Sequence, residues 1–74
     1  MTVNELYILG KKKMSESGIE DFEFDSRCLL EFCMGIGTTE FLLSRNNAVD
    51  SETEKEYFRL IERRTTGEPL QYIL

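Results

Sequence analysis

Apolar residues recur at helical spacing along most of the chain, and residues with capping character mark the breaks between the runs. Val3, Leu6, Tyr7, Gly10 and Met14 form one stripe, opened by Thr2 with Glu5 three residues later. That pair is a capping box, in which each residue satisfies an amide donor that the first turn leaves open. Gly10 inside the stripe weakens a helix by ~1 kcal/mol relative to Ala, unless a neighbouring helix crosses close to it. Gly18 supplies a left-handed stop, with Ile19 placed to fold back over the last turn.

A second helical segment runs from about Phe22 to Gly35. Phe24, Cys28, Leu29, Phe32 and Ile36 share one face, Leu30 and Cys33 widen it, and Glu23, Asp25 and Glu31 point away. So broad an apolar face predicts a central helix contacted on two sides. Gly35-Ile36-Gly37 ends the segment, and Thr38 or Thr39 caps a short third helix to about Arg45 that carries Phe41, Leu42 and Leu43. Asn46-Asn47 breaks it.

The fourth segment starts at Asp50 or Ser51, where Ser51 and Glu54 have capping-box spacing, and continues to about Thr66. Tyr57, Phe58, Leu60 and Ile61 face inward; Glu52, Lys55, Glu56, Arg59, Glu62 and Arg63 form the solvated side. Gly67 closes the helix and Pro69 prevents its restart. In the last five residues, Leu70, Tyr72 and Leu74 alternate with Gln71 and Ile73, a strand pattern with no partner strand elsewhere in the sequence. An unpaired apolar strand is an aggregation liability, so the chain reads as cut from something longer. The expectation is an all-α fold: a small bundle of four to five helices over residues 1–67, followed over 68–74 by the start of an extended inter-domain linker.

Charge and size narrow the function. The 74 residues carry nine bases against fourteen acids, a net −5, and the acids divide evenly between the two halves. Neither half is a basic arm, which disfavours nucleic acid as a direct partner. No apolar run nears the ~20 residues that span a bilayer, and no signal-peptide pattern opens the chain, so a cytoplasmic protein with no membrane association is expected. A chain of this length buries only ~60–65% of its unfolded surface, which leaves little surplus for a strained catalytic pocket.

Candidate chemistry is sparse. With no histidine, the usual general base near neutral pH is missing. Cys28 and Cys33, five apart on a helix, project ~140° apart with ~7.5 Å of rise. That exceeds the ~7 Å limit for a disulfide, so both read as reduced packing residues, and two thiols fall short of a zinc site. Gly35-Ile36-Gly37-Thr38-Thr39 follows a helix rather than a strand and lacks the Lys of a phosphate loop. Glu20, Asp21, Glu23 and Asp25 lie where acids stabilise a helix start. Lys11, Lys12 and Lys13 form a solvated face, with a contact for an acidic partner as the alternative reading. Catalytic, cofactor and metal residues are therefore all absent from the expectation.

The most specific segment is Arg63-Arg64-Thr65-Thr66-Gly67-Glu68-Pro69-Leu70-Gln71-Tyr72-Ile73-Leu74. It resembles the junction in the release-factor glutamine N5-methyltransferases, the PrmC/HemK family, where an R-R-x-x-G-E-P run leads from an N-terminal helical domain toward the methyltransferase domain. Asp25-Ser26-Arg27-Cys28-Leu29-Leu30-Glu31-Phe32-Cys33-Met34-Gly35 is similar to a family helix with paired leucines ending in glycine. The resemblance implies a protein that uses S-adenosylmethionine to methylate the glutamine of the GGQ motif in peptide chain release factors during translation termination.

The family's N-P-P-Y motif and glycine-rich cofactor loop do not occur in these 74 residues. The resemblance thus implies a non-catalytic piece that binds or orients the release factor as a monomer and adjoins its own methyltransferase domain. Arg64, Gly67, Glu68, Pro69, Leu70 and Tyr72 would form the inter-domain junction. The competing expectation is a generic helical interaction or dimerisation module unrelated to methylation.

Overall fold

A computed structural model describes all 74 residues. Five helices follow one another: α1 (Val3–Glu16), α2 (Phe22–Met34), α3 (Thr38–Leu43), α4 (Ser51–Thr65) and α5 (Leu70–Ile73). The fold is all-α, as the periodicity predicts. Its radius of gyration, 11.1 Å, matches the ~11 Å of a normally packed chain of this length. No helix is long and apolar enough to cross a membrane.

The core lies where α1, α2 and α4 pack together. Val3, Leu6 and Met14 come from α1, Leu29 and Leu30 from α2, and Tyr57, Leu60 and Ile61 from α4; Phe41 of α3 and Ile73 of α5 complete it. Gly10 marks the tightest approach. A β-carbon there would overlap the Tyr57 hydroxyl and lie 2.9 Å from its Cζ and 3.1 Å from Ile61 Cδ1. The glycine that weakens α1 locally is the condition for α4 to lie against it.

Helix ends follow the local signals closely. The Thr2 amide donates to Glu5 Oε1 at 2.8 Å and the Glu5 amide to Thr2 Oγ1 at 3.1 Å, completing the expected capping box. α1 stops at Gly18, where the Ile19 amide reaches back to Met14 O and the Gly18 amide to Ser15 O. This paired bonding satisfies carbonyls the last turn leaves open.

Four expectations are corrected. First, α2 is rotated relative to the face predicted for it. Asp25, Ser26, Leu29 and Leu30 are buried, whereas Phe24 and Phe32 remain 53% and 52% exposed. Asp25 turns inward because a cation awaits it there. Second, of the two expected starts it is Asp50 that caps α4, its carboxylate accepting from the Thr53 amide and hydroxyl. The Ser51–Glu54 box does not form, because Glu54 pairs with the Met1 ammonium at 2.7 Å. Third, the cap position of α3 is Gly37, with no side-chain bond, rather than the expected Thr38 or Thr39. Fourth, Leu70–Ile73 is a helical turn rather than a strand. Five residues can satisfy either period, and the winner is the one that buries Ile73 (6% exposed) while leaving Tyr72 in solvent.

The first residues also clasp the connection between α3 and α4. The amides of Val3 and Asn4 donate to Asn47 O and Arg45 O, both at 3.0 Å, and the Val49 amide donates to Met1 O at 2.9 Å.

Candidate functional site

The residues singled out at the C-terminal end converge on one turn. α4 ends in a positive-φ glycine, Gly67 at φ 105°. The Gly67 amide donates to Arg64 O and the Glu68 amide to Arg63 O, both at 3.2 Å. The reversed backbone places the Glu68 side chain beside Arg63, whose guanidinium donates from Nε at 2.7 Å and from Nη2 at 2.8 Å. Two parallel bonds of this kind fix orientation as well as distance. Arg63 thus holds Glu68 by both its carbonyl and its side chain, and the Glu68 carboxyl is held below its ordinary 4.5, chiefly by hydrogen bonding from Arg63.

Arg64 faces the opposite way and joins the turn to the body. Its Nε donates to Asp25 Oδ2 at 2.9 Å, across 39 residues of sequence, and its Nη1 lies 3.5 Å from Glu68 O. Asp25 is 4% exposed. A carboxylate so buried needs a charged, well-oriented partner, since desolvation alone would cost several kcal/mol. Arg64 is that partner. One guanidinium therefore spans α2, the end of α4 and the turn leading to α5.

Beyond this latch the chain is extended at Pro69 (ψ 145°) and re-enters helix as α5. Ile73 is buried, Leu70 packs partly against the core, and Tyr72 is 70% exposed. Arg64, Gly67, Glu68, Pro69 and Leu70 accordingly belong to one continuous structure, while Tyr72 faces outward. Asp25 is the member that sequence reasoning placed on the wrong side. The signal available for it was the Asp25, Ser26, Leu29, Leu30, Cys33 stripe, at i, i+1, i+4, i+5, i+8, with only one charge in it.

The remaining chemistry is that of packing. Cys28 and Cys33 are free thiols; burial pushes the Cys33 thiol up to about 11 and raises Cys28 as well. A thiol so far from ionising is a poor nucleophile at neutral pH. The Tyr57 hydroxyl, fully buried, has no hydrogen-bond partner, and burial raises its pKa.

Comparison with known proteins supplies the deciding observation. A family model described as the PrmC N-terminal domain matches residues 5–74. The chain belongs to the PrmC N-terminal domain family. Two relatives are release factor glutamine methyltransferases, from Deinococcus radiodurans and Agrobacterium fabrum, each 30% identical over 73 residues. The match takes in 99% of this chain but 26% and 25% of those proteins, so this PrmC N-terminal domain spans about a quarter of their length. No solved structure matches it. Within this PrmC N-terminal domain, the latch of Arg63, Arg64 and Glu68 with Asp25 joins α2, α4 and the turn before α5.

Proposed function

We propose that the chain is the substrate-recognition domain of a release-factor glutamine methyltransferase, binding or orienting the release factor and inactive alone. The observation that carries this reading is the family match over residues 5–74. Two further features support it. The sequence contains no histidine to act as a base. The Arg63–Glu68 and Arg64–Asp25 pairs tie the end of α4 to the turn that follows it and to α2, which suits a part that sets geometry.

In this reading residues 1–67 are the recognition body and residues 68–74 begin the connection to a methyltransferase domain. That domain would bind S-adenosylmethionine and carry out transfer in the cytoplasm. An amide nitrogen is a weak nucleophile, so its methylation depends on positioning, and binding energy from groups remote from the reacting atoms is the means of supplying it. Arg64, Gly67, Glu68, Pro69 and Leu70 serve that purpose by fixing the direction in which the chain leaves the helical body. Tyr72, exposed beside the buried Ile73, is available to pack against the adjoining domain.

Competition and calorimetry test this division of labour. Excess 74-residue chain should slow methylation of release factor by an intact family methyltransferase, while the chain alone shows no heat of S-adenosylmethionine binding. Cofactor binding by the chain would overturn its non-catalytic role. Undiminished methylation at saturating chain would overturn its role in recognition.

A further inference from the structure

The nine cationic side chains fall into two populations. Four arginines form ion pairs within the domain: Arg27 with Glu31, Arg59 with Glu56, Arg63 with Glu68, and Arg64 with Asp25. The fifth, Arg45, donates to Asn4. None of the four lysines has a carboxylate within 4.0 Å, although acids outnumber bases by fourteen to nine. The positive charge left without a carboxylate partner is thus that of Arg45 and the four lysines, and two of the lysines border the same depression.

That depression is a groove of about 450 Å³ between the end of α1 and the outer side of α4. Lys13, Lys55 and Arg59 supply its cations, Glu62 its one acid, and Phe58 and Ile61 its apolar floor. Lys13 Nζ lies 5.2 Å from the centre of the Phe58 ring, which holds the ammonium over the groove without neutralising it. The volume is that of a site taking a few side chains.

We propose that this groove is a docking site for an acidic protein segment, in which carboxylates meet Lys13 and Lys55 and an apolar side chain rests on Phe58. The inference rests on the recognition role proposed above, with the release factor as the protein that supplies the segment. A peptide suits the groove better than a nucleic acid: the site alternates cation with apolar floor, includes Glu62, and belongs to a domain of net charge −5. A phosphate polymer draws its affinity from a longer run of cations than this.

The test uses the 74-residue chain with acetyl-Glu-Glu-Leu-Glu-Glu-amide as probe, followed by amide chemical shifts, and in parallel with intact release factor. The peptide should shift Lys13, Lys55, Phe58, Arg59 and Glu62 and spare the Arg63–Glu68 turn. Lys13→Glu with Lys55→Glu should weaken peptide and release-factor binding at least tenfold, Lys13→Gln with Lys55→Gln less, and Lys11→Glu by under twofold. Helicity measured on each variant checks that the fold is retained. Shifts centred elsewhere, or equal shifts with a single-stranded hexanucleotide, overturn the proposal. Release-factor binding that survives both double variants overturns the groove as its docking site but leaves the recognition role standing. Peptide binding in the groove without any release-factor binding overturns the recognition role and leaves an acidic-peptide site.

Discussion

Two regions of this domain depend on a glycine, for opposite reasons. At the crossing of α1 and α4, Gly10 has ordinary helical geometry and is needed for space, because Tyr57 and Ile61 occupy the volume a side chain would take. At the turn after α4, Gly67 has nothing within 4 Å of where a side chain would be and is needed for its φ of 105°. The crossing is built by apolar contact between helices distant in sequence. The turn is built by backbone geometry within six residues and then tied to the body by Arg64 and Asp25. Apolar packing thus holds that crossing, whereas the turn after α4 is held by directional bonds. Directional bonds specify an angle, which close packing of small apolar groups does less strictly.

The sharpest way to break the comparison is at the crossing. Gly10→Val should destabilise by about 3 kcal/mol, the upper part of the range for overpacked cores. In a domain this small that lowers the thermal midpoint by roughly 15 °C. Adding Tyr57→Phe should recover part of the loss, since the clashing hydroxyl has no partner to forfeit. Next in size is Arg64→Met, which strands the Asp25 carboxylate and should cost about 2–3 kcal/mol in urea unfolding, short of a fully buried pair. Asp25→Asn in the same chain should restore some of it, because a neutral amide needs no counter-charge.

Gly67→Ala should cost about 1–2 kcal/mol, for conformation alone, and Gly67→Asn less. A cost as large as that at Gly10 would erase the distinction between space and φ.

The smallest effect is a pH dependence. The folded Glu68 carboxyl titrates below the unfolded value near 4.5, so its contribution is complete above that value and is lost as pH falls through the lower folded one. Glu68→Gln should therefore lose less stability than the wild type on acidification. Identical acid limbs for the two proteins would show that Arg63 does not act through this carboxylate.

Much of the fold was legible because its signals are local. The Thr2–Glu5 box, the stop at Gly18 and the closing Gly67 each depend on residues within about six positions, and all appear as read. The face of α2 was not legible in the same way. Apolar residues lie on nearly every side of Phe22–Met34, so periodicity cannot choose among them. The choice is made by Arg64, 39 residues away, which makes burial of Asp25 tolerable and turns Phe24 and Phe32 outward. Glu54 failed as a capping residue for a similar reason, having been drawn to the Met1 ammonium 53 residues away. At the candidate site the sequence supplied Arg64, Gly67, Glu68, Pro69 and Leu70 as neighbours along the chain but could not supply Asp25. The last residues were misread because alternation over five positions is too short a sample to separate strand from helix.

The clasp of Met1, Val3 and Asn4 on residues 45–49 has a bearing on how the molecule breathes. α3 offers the core a single fully engaged ring, Phe41, and is otherwise secured through those three backbone bonds, the Arg45–Asn4 side-chain bond and its short links to α2 and α4. Leu42 and Leu43 are already exposed, so opening α3 uncovers chiefly Phe41, and a low opening free energy is expected of it. Its amides will exchange with solvent well ahead of those at the Gly10 crossing, through excursions that never unfold the other helices. The domain therefore has a soft flank at α3 and a stiff one at the Arg64 latch.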